Sequence, residues 1–181
     1  MIRILILLFF LPIKAFALIE VDITRGNLNP LPIAVSPLSI DESSKQSFKK
    51  ILKKNDIGSE ISKIVENNLK ISGLFNPLNK DAFLQAPDIA NLKPRFEDWN
   101  LIKAQALITG KVNFVDEKLR VEFRLWDVLA GKEMMALAFT TVPNNWRRVG
   151  HIITDKVYER LTGEKGYFDT RIIYVAEKGP K

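Results

Sequence analysis

The stretch "ALITGKVNFVDEKLRVEFRLWDVLAGKEMMALAFTTV", Ala106 to Val142, contains three extended apolar runs separated by two short breaks. In the middle run, Leu119 to Leu125, apolar and charged residues alternate, which predicts a strand with one buried and one solvated face. The breaks at Asp116-Glu117 and at Leu129 to Lys132 are short enough for hairpins. The stretch therefore predicts an antiparallel three-stranded meander.

Two amphipathic helices are predicted outside this meander. Apolar residues recur at helical spacing between Asp56 and Ser72, and again between Asn145 and Thr162, which predicts one buried stripe on each helix. Gly73 and Gly163 follow the two stripes and are typical of helix C-termini. A sheet with one apolar face and two helices with one apolar stripe can bury these surfaces against one another.

Shorter segments extend the predicted fold. Ile33 to Leu38 and Leu74 to Leu78 are brief apolar runs with the composition of strands, and Arg171 to Val175 is a last one. A further helix start is indicated at Pro94, with Phe96 and Trp99 on one face. We therefore predict an α+β fold, with a mixed sheet of about five strands and the two main helices packed on one face.

The first seventeen residues have the pattern of a secretory signal. Arg3 precedes the apolar run Ile4 to Leu11, and Ala15-Phe16-Ala17 forms an A-x-A cleavage site before Leu18. The apolar run is shorter than the roughly 20 residues of a membrane-spanning helix, so no stable membrane insertion is expected after cleavage. Because the chain contains no cysteine, no thiol can carry a lipid at the new N-terminus.

The charge balance argues against one class of partner. The chain has a formal net charge of +6, and signal cleavage removes two positive charges, Arg3 and Lys14, and no negative one. The remaining excess is mild and forms no continuous basic stripe, so no nucleic acid partner is expected.

The segment after the cleavage site has the alternation of a half-buried strand. It comprises Leu18, Ile19, Glu20, Val21, Asp22, Ile23, Thr24 and Arg25. The linker "GNLNPLP", Gly26 to Pro32, separates it from the next strand. Two interpretations stay open, because one alternating strand has the same pattern in either role: an ordinary core strand of this domain, or a strand that is given to a partner's sheet.

The segment Ser43 to Asn55 also has two interpretations. It carries five lysines around three apolar residues at helical spacing. One interpretation is a basic amphipathic patch for an anionic lipid or polymer. The other is a solvated short helix or loop that rests its apolar residues on the domain.

No residue set in the chain has the spacing of a catalytic or metal site. Cysteine catalysis is excluded, and with His151 as the one histidine no multi-histidine metal site can form. His151 is interpreted as a boundary residue of the second helix that makes one hydrogen bond. Trp146 is interpreted as the start of the second helix stripe, and Trp99 and Trp126 as partly buried anchors, instead of a sugar-stacking set. No cofactor or catalytic residue is expected.

Several motifs resemble those of the TolB family of the periplasmic Tol-Pal system. The segment "NNWRRVGHIITDKVYERLTGEKGYFDTRIIYV", Asn144 to Val175, is similar to the family's W-R-x-x-x-H helix, its Y/F-E-x-L/I-T-G end and its G-x-F-x-T-R-I-x-Y-V passage into a β-propeller. "ISGLFNPL", Ile71 to Leu78, resembles the S-G-x-F-x-P-L stretch. "NPLPIAVSPL", Asn29 to Leu38, resembles the family's second strand.

The resemblance implies an amino-terminal α/β domain of an exported, non-catalytic periplasmic protein. In the family, the extreme N-terminal segment engages the C-terminal domain of TolA, and the propeller binds the lipoprotein Pal. The protein thereby links the inner-membrane TolA to the outer-membrane Pal, for outer-membrane integrity and invagination during cell division. Transferred here, the TolA-contacting strand corresponds to Leu18 to Arg25.

The resemblance also implies a division of the chain. Residues 1–17 are the signal, residues 18–166 the amino-terminal domain, and residues 167–181 the start of a truncated propeller. The Pal-binding part then lies outside this chain, which is interpreted as a fragment, a split gene product or a decaying copy.

Two other classes of function stay open. A periplasmic carbohydrate-binding or enzymatic α/β domain would need a pocket lined by Trp99, Trp126 or His151 with convergent polar groups. A protein of the membrane surface would use the basic stretch Lys45 to Lys54.

Overall fold

A computed structural model describes residues 29–170 of the 181-residue chain. Residues 29–170 contain six strands and five α-helices. They are β1 (Leu31–Val35), β2 (Ser39–Ile40), α1 (Glu42–Leu52), α2 (Ile57–Ile71), β3 (Phe75–Pro77), α3 (Pro87–Leu92), α4 (Phe96–Leu101), β4 (Ala106–Val115), β5 (Lys118–Asp127), β6 (Lys132–Thr141) and α5 (Trp146–Thr162). The predicted signal at residues 1–17, the strand Leu18 to Thr24 and the strand Arg171 to Val175 lie outside the described residues.

All six strands belong to one mixed sheet with the order β3-β1-β4-β5-β6, and β2 pairs with the second half of β4. β1 is parallel to both β3 and β4. β4, β5 and β6 are antiparallel, with Ala106 opposite Asp127 and Leu119 opposite Thr141. The predicted meander and the predicted α+β class are therefore confirmed.

The predicted strand Ile33 to Leu38 is divided in the structure. β1 begins two residues earlier, at Leu31, and ends at Val35, and β2 starts only at Ser39. Pro37 has no N–H to donate to a ladder. In addition, the N–H of Leu38 donates to Oγ of Ser62 on α2 at 3.0 Å instead of to a strand. The apolar run therefore supplies one strand and a short connection that is anchored on a helix.

The larger core lies between one face of the sheet and the helices α2 and α5. Its members on α2 and α5 are Ile57, Ile61, Val65, Leu69, Trp146, Val149, Ile153, Val157, Tyr158 and Leu161, its member on α1 is Phe48, and its main strand members are Ile33, Val35, Ile108, Val112, Leu119, Val121, Phe123 and Leu125. Both predicted stripes thus face the sheet, and the prediction of two main helices on one face is confirmed. Each buried aliphatic or aromatic side chain contributes about 1.5–3 kcal/mol, most of which conformational entropy offsets.

α2 and α5 approach each other closely at Gly150. A Cβ atom on Gly150 would lie 2.9 Å from Cγ2 of Ile64, which no ordinary packing allows. Beside this contact, Nδ2 of Asn68 lies 2.9 Å from Nδ1 of His151 and donates to Oγ1 of Thr154 at 3.2 Å. The side chain of His151 therefore makes one hydrogen bond, to Asn68 of α2, as the sequence predicted.

A second, smaller core covers part of the opposite face of the sheet. It consists of Ala34, Ala90, Trp99, Ala104, Leu107 and Val128. Trp99 of α4 is fully buried, and its Nε1 donates to Oε1 of Gln85 at 2.9 Å. Phe96 of the same helix packs edge-on against Trp126, with ring centroids 5.8 Å apart. The helix start indicated near Pro94 is confirmed, whereas the packing of α3 and α4 on the second face was not predicted.

The basic segment Ser43 to Asn55 forms α1, a regular helix. Asp41 caps its N-terminus by accepting from the N–H of Ser44 at 2.8 Å. Ser44 is 2% exposed. Its hydroxyl donates to the other carboxylate oxygen of Asp41 at 2.7 Å and accepts from the N–H of Phe114 at 2.8 Å. α1 is therefore joined to β4 by a hydrogen-bonded relay as well as by the burial of Phe48.

No helix among residues 29–170 is long and apolar enough to cross a membrane.

The Ser44 relay generates a prediction on stability. Replacing Ser44 with alanine leaves the N–H of Phe114 without its acceptor in a largely buried place, so we expect Ser44→Ala to lower the free energy of unfolding by about 1–3 kcal/mol. Urea unfolding followed by circular dichroism measures this loss. Ser43→Ala is the matched control, because Ser43 donates only to Asp41. Equal effects of the two substitutions would show that the relay contributes nothing.

The cap of α1 also predicts a titration. Hydrogen bonds, first from the Ser43 hydroxyl and then from the Ser44 backbone, lower the pKa of Asp41 to about 2. The stabilisation by the ionised cap is therefore complete above the unfolded carboxyl's pKa near 4 and is lost as the pH falls through about 2. An NMR titration of the Asp41 side-chain carbon should give a midpoint near 2, and Ser43→Ala should raise it. A midpoint near 4 in both proteins would contradict this account.

Candidate interaction surface

The predicted site residues lie outside the described part of the chain. This applies to the partner-binding segment Leu18 to Arg25 and to the cleavage position between Ala17 and Leu18. The nearest described point is Asn29-Pro30, which leads directly into β1. The structure therefore shows where this segment is attached, at the start of β1, and which residues surround that point.

The attachment point is a firmly held strand end. The N–H of Leu31 donates to the carbonyl of Leu74 at 2.9 Å, and Leu31 stands opposite Phe75 in the parallel ladder. Leu31 is buried in the larger core. Anything that precedes Asn29 is thus connected to a central strand of the sheet.

An aromatic group, here called the junction cluster, surrounds this strand end and consists of Phe75, Tyr158, Tyr167 and Phe168. The ring of Tyr158 on α5 packs edge-on against Phe75, Tyr167 and Phe168, with centroid distances of 6.2, 5.6 and 5.8 Å. Tyr167 and Phe168 are stacked at 4.5 Å. Burial, followed by the nearby Tyr167 and Glu164, raises the pKa of Tyr158, so its hydroxyl stays neutral at physiological pH. The cluster joins the strand next to the N-terminal attachment to the segment that follows α5.

Two charged residues of α5 hold the segment that follows the helix. The carboxylate of Asp155 accepts from the N–H of Phe168 at 2.7 Å and of Asp169 at 3.0 Å. Arg148 binds the Asp169 carboxylate through Nε at 3.0 Å and Nη2 at 3.0 Å, and this pairing raises the pKa of the guanidinium. Gly166 passes so close to Asp155 that an added Cβ would lie 2.6 Å from the Asp155 Cβ. The chain therefore leaves the helix along one defined path.

The end of α5 lies at the end of the sheet where β1 begins. Ile33 of β1 pairs with Ala106 at the start of β4, and Asp127 and Lys132 lie at that same end of β5 and β6. Close to it, Arg160 in the last turn of α5 donates to the carbonyl of Met134 at 3.4 Å. The residues that follow α5 then run back along the helix, so that Asp169 reaches Arg148 in its first turn.

The free side of the sheet is β6, the outermost strand on that side among the described residues. A groove of about 310 Å³ runs between the second half of β6 and the first half of α5. Its lining includes Phe139, Thr141, Arg148 and Ile152. The opposite half of β6 is irregular, with a register shift opposite Leu125/Trp126. Bulges of this kind reduce the tendency of an edge strand to pair with another chain.

The residues considered for catalysis or sugar binding do not form a site. Trp99 and His151 lie in separate places, each in the contact already described, and Nε1 of Trp126 donates to Oγ1 of Thr109 at 2.9 Å. Neither the groove beside β6 nor the pocket beside α1 is lined by any of the three. Within residues 29–170 no three histidine, aspartate or glutamate side chains come together as metal ligands could.

Asp155 and the Arg148–Asp169 pair were not predicted from the sequence. Their partners lie 13 to 21 residues away, so no helical or strand period connects them. The nearest signal was the pattern "GYFDT" after Gly163, whose two aromatic residues and one acid interrupt an otherwise polar exit from the helix.

Comparison with known proteins places these features in a family. The family model of the TolB amino-terminal domain matches residues 19–134. The Tol-Pal system protein TolB of Pelagibacter ubique (strain HTCC1062) is 86% identical over 176 residues, which cover 97% of this chain and 40% of that protein. The chain thus spans less than half the length of this curated relative.

A solved structure supports the fold. The crystal structure of TolB from Acinetobacter baumannii is similar with a TM-score of 0.60 at 21% identity, over 84% of this chain and 33% of that chain. At this level of identity the likeness concerns the arrangement of helices and strands alone.

The charged contacts of the exit segment generate a prediction. Asp155→Asn replaces one accepting oxygen with an NH₂ group, so one of the two N–H groups loses its acceptor. We expect hydrogen exchange at Phe168 and Asp169 to become about tenfold faster, because a hydrogen bond to a charged group contributes roughly 1.5 kcal/mol. Glu159→Gln is the control, since Glu159 on the same helix binds Lys156. Unchanged exchange in Asp155→Asn would mean that other contacts hold the segment.

Proposed function

Because the chain belongs to the TolB family, we propose that it is the amino-terminal part of a Tol-Pal system protein that acts by binding in the periplasm and not by catalysis. The observation that carries this proposal is the match of the TolB amino-terminal domain over residues 19–134, together with 86% identity to a Tol-Pal system protein. The aromatic and ionic contacts of the junction cluster fit a domain that positions attached segments.

Within this role, Leu18 to Arg25 binds the C-terminal domain of TolA by adding a strand to its sheet. Ile19, Val21 and Ile23 would face one side of that sheet and Glu20, Asp22 and Thr24 the other. The linker between Arg25 and β1 contains Gly26, Asn27, Asn29 and Pro30, a composition typical of a connection that leaves such a segment separable.

The affinity of such a segment should be moderate. Ordering a free strand costs about 1–2 kcal/mol per residue in backbone entropy, before the new ladder and side-chain contacts offset it. Moderate affinity suits a contact that must form and dissociate repeatedly while the outer membrane invaginates during cell division.

In the longer protein, the same domain would connect TolA at the inner membrane to Pal at the outer membrane. The Pal contact belongs to the propeller that follows the exit segment in the family. The link would serve outer-membrane integrity and invagination during cell division.

The strand proposal is tested by removing the segment. Deleting Leu18 to Arg25 from the exported chain should abolish binding to purified TolA C-terminal domain in isothermal titration calorimetry. The melting temperature should change by less than about 4 °C, since that shift corresponds to roughly 1 kcal/mol in a domain of this size. A large loss of stability would show that the segment is a core strand of this domain.

A matched pair of variants separates strand addition from general attraction. Joint replacement of Ile19, Val21 and Ile23 with serine removes the apolar row, whereas joint replacement of Glu20 and Asp22 with serine removes only the two charges of the polar row. We expect one row to account for most of the affinity, because only one face of an added strand is buried by the partner's core. Equal binding by both variants and the parent chain would contradict the proposal.

A further inference from the structure

α1 presents a group of cations without ionic partners at the opposite end of the domain from the junction cluster. Lys49, Lys50 and Lys53 are exposed, and none of them forms an ion pair with an acidic side chain of residues 29–170. The flanking lysines differ: Lys45 binds Glu42 at 3.5 Å and Lys54 binds Glu60 at 3.4 Å. The three unpaired lysines, called here the α1 basic face, are therefore available to an acidic partner.

An open pocket of about 590 Å³ lies beside this face. It is lined by Ser47, Lys50, Ile51, Phe114, Glu117 and Pro143. These residues come from α1, the end of β4, the β4–β5 turn and the connection between β6 and α5. This volume is large enough for one large apolar side chain of a partner.

The lining of the pocket includes one exposed apolar side chain. Ile51 of α1 is 48% exposed and lines the pocket together with the partly buried Phe114. A single exposed aliphatic residue is ordinary on a protein surface, but one that shares a concavity with an aromatic ring offers a contact to an apolar side chain of a partner.

The pocket is held in place by the rest of the domain. The ring of Phe114 packs edge-on against the buried Phe48 with centroids 5.4 Å apart, and the Ser44 relay joins α1 to the N–H of Phe114. A pocket whose walls are already fixed needs little ordering on binding, which favours affinity.

The turn at the pocket's far side has an unusual backbone. Asp116 and Glu117 both have positive φ, 50° and 60°, a conformation in which glycine or asparagine is ordinary. This turn places Glu117 on the rim. The rim is therefore basic on the α1 side and acidic on the turn side.

We propose that this surface binds an acidic segment of a partner protein, with one large apolar side chain in the pocket and carboxylates on the α1 basic face. A peptide fits better than a lipid bilayer for two reasons. The surface is concave, and its exposed apolar residue, Ile51, is a branched aliphatic instead of the Trp, Phe and Leu residues typical of interfacial helices.

The site is independent of the proposed TolA-binding segment. β4 runs its full ten residues from Ala106, near the N-terminal attachment, to Val115 at the pocket, a distance of about 30 Å at the usual rise of a strand. A second partner could therefore occupy the pocket while Leu18 to Arg25 is bound elsewhere.

The test uses the exported chain and a fluorescein-labelled decapeptide of glutamates around a central phenylalanine, followed by fluorescence anisotropy. We expect this probe to bind, to bind more weakly as salt is raised, and to shift the NMR resonances of Ile51 and Phe114. Joint replacement of Lys50→Gln and Lys53→Gln should weaken binding about fivefold or more. Glu117→Gln should strengthen binding, because a repelling carboxylate is removed.

Matched controls decide the outcome. Lys93→Gln with Lys103→Gln removes two exposed lysines elsewhere and should leave the affinity unchanged. Ile51→Ser should weaken the phenylalanine probe but not a probe with serine in its place. The proposal is overturned if a lysine-based peptide binds equally well, if the control pair weakens binding as much, or if the acidic peptide fails to bind. Binding to phosphatidylglycerol vesicles without binding to the peptide would replace the partner with a membrane. Circular dichroism melting confirms that each variant is folded.

Discussion

The close contact between α2 and α5 at Gly150 determines how this domain is organised. With no side chain at Gly150, Ile64 can lie against the backbone of α5, so both helices can press their apolar stripes onto the same face of the sheet. Beside that contact, the side chain of Asn68 forms hydrogen bonds with His151 and Thr154. The orientation of α5 in turn decides where Asp155 and Tyr158 point, and therefore where the chain leaves the domain.

The two surfaces for which we propose partners lie toward opposite ends of the sheet. At one end, β1 begins and α5 ends beside the junction cluster. At the other end, α1, the β4–β5 turn and the connection between β6 and α5 form a concave pocket beside the α1 basic face. Among the described residues, no buried side-chain nitrogen or oxygen lacks a hydrogen-bond partner. A rigid body between two such contacts would transmit their positions to each other.

Membership of the TolB family agrees with this arrangement. The chain covers 40% of the length of its curated relative, so the exit segment held by Asp155 and Arg148 is where the remainder of that relative's chain would follow. Ionic and backbone contacts that hold an exit segment restrict the angles available to a following domain. In a connecting protein this restriction matters, because a freely rotating joint would transmit no orientation.

Periodicity made the main elements predictable from the sequence. The alternation in β5 and the apolar stripes of α2 and α5 reflect which face of each element is buried. This face can be recognised from the spacing of apolar residues a few positions apart. The same reasoning identified His151 as a residue with one hydrogen bond, since no partner for chemistry has a fixed spacing to it. For the segment Ser43 to Asn55, the sequence did not distinguish a helix from a loop, because its few apolar residues are compatible with either.

The sequence by itself determined the strands of the meander, the two long helices and the resemblance to the TolB family. Only the tertiary structure decided that α3 and α4 cover the second face of the sheet, that Asp155 and Arg148 hold the exit segment, and that Phe114, Ile51 and Pro143 share one pocket. The physical reason is the range of the contacts. Elements follow from interactions between residues a few positions apart, whereas these sites join residues 13 to about 90 positions apart that only the folded sheet brings together.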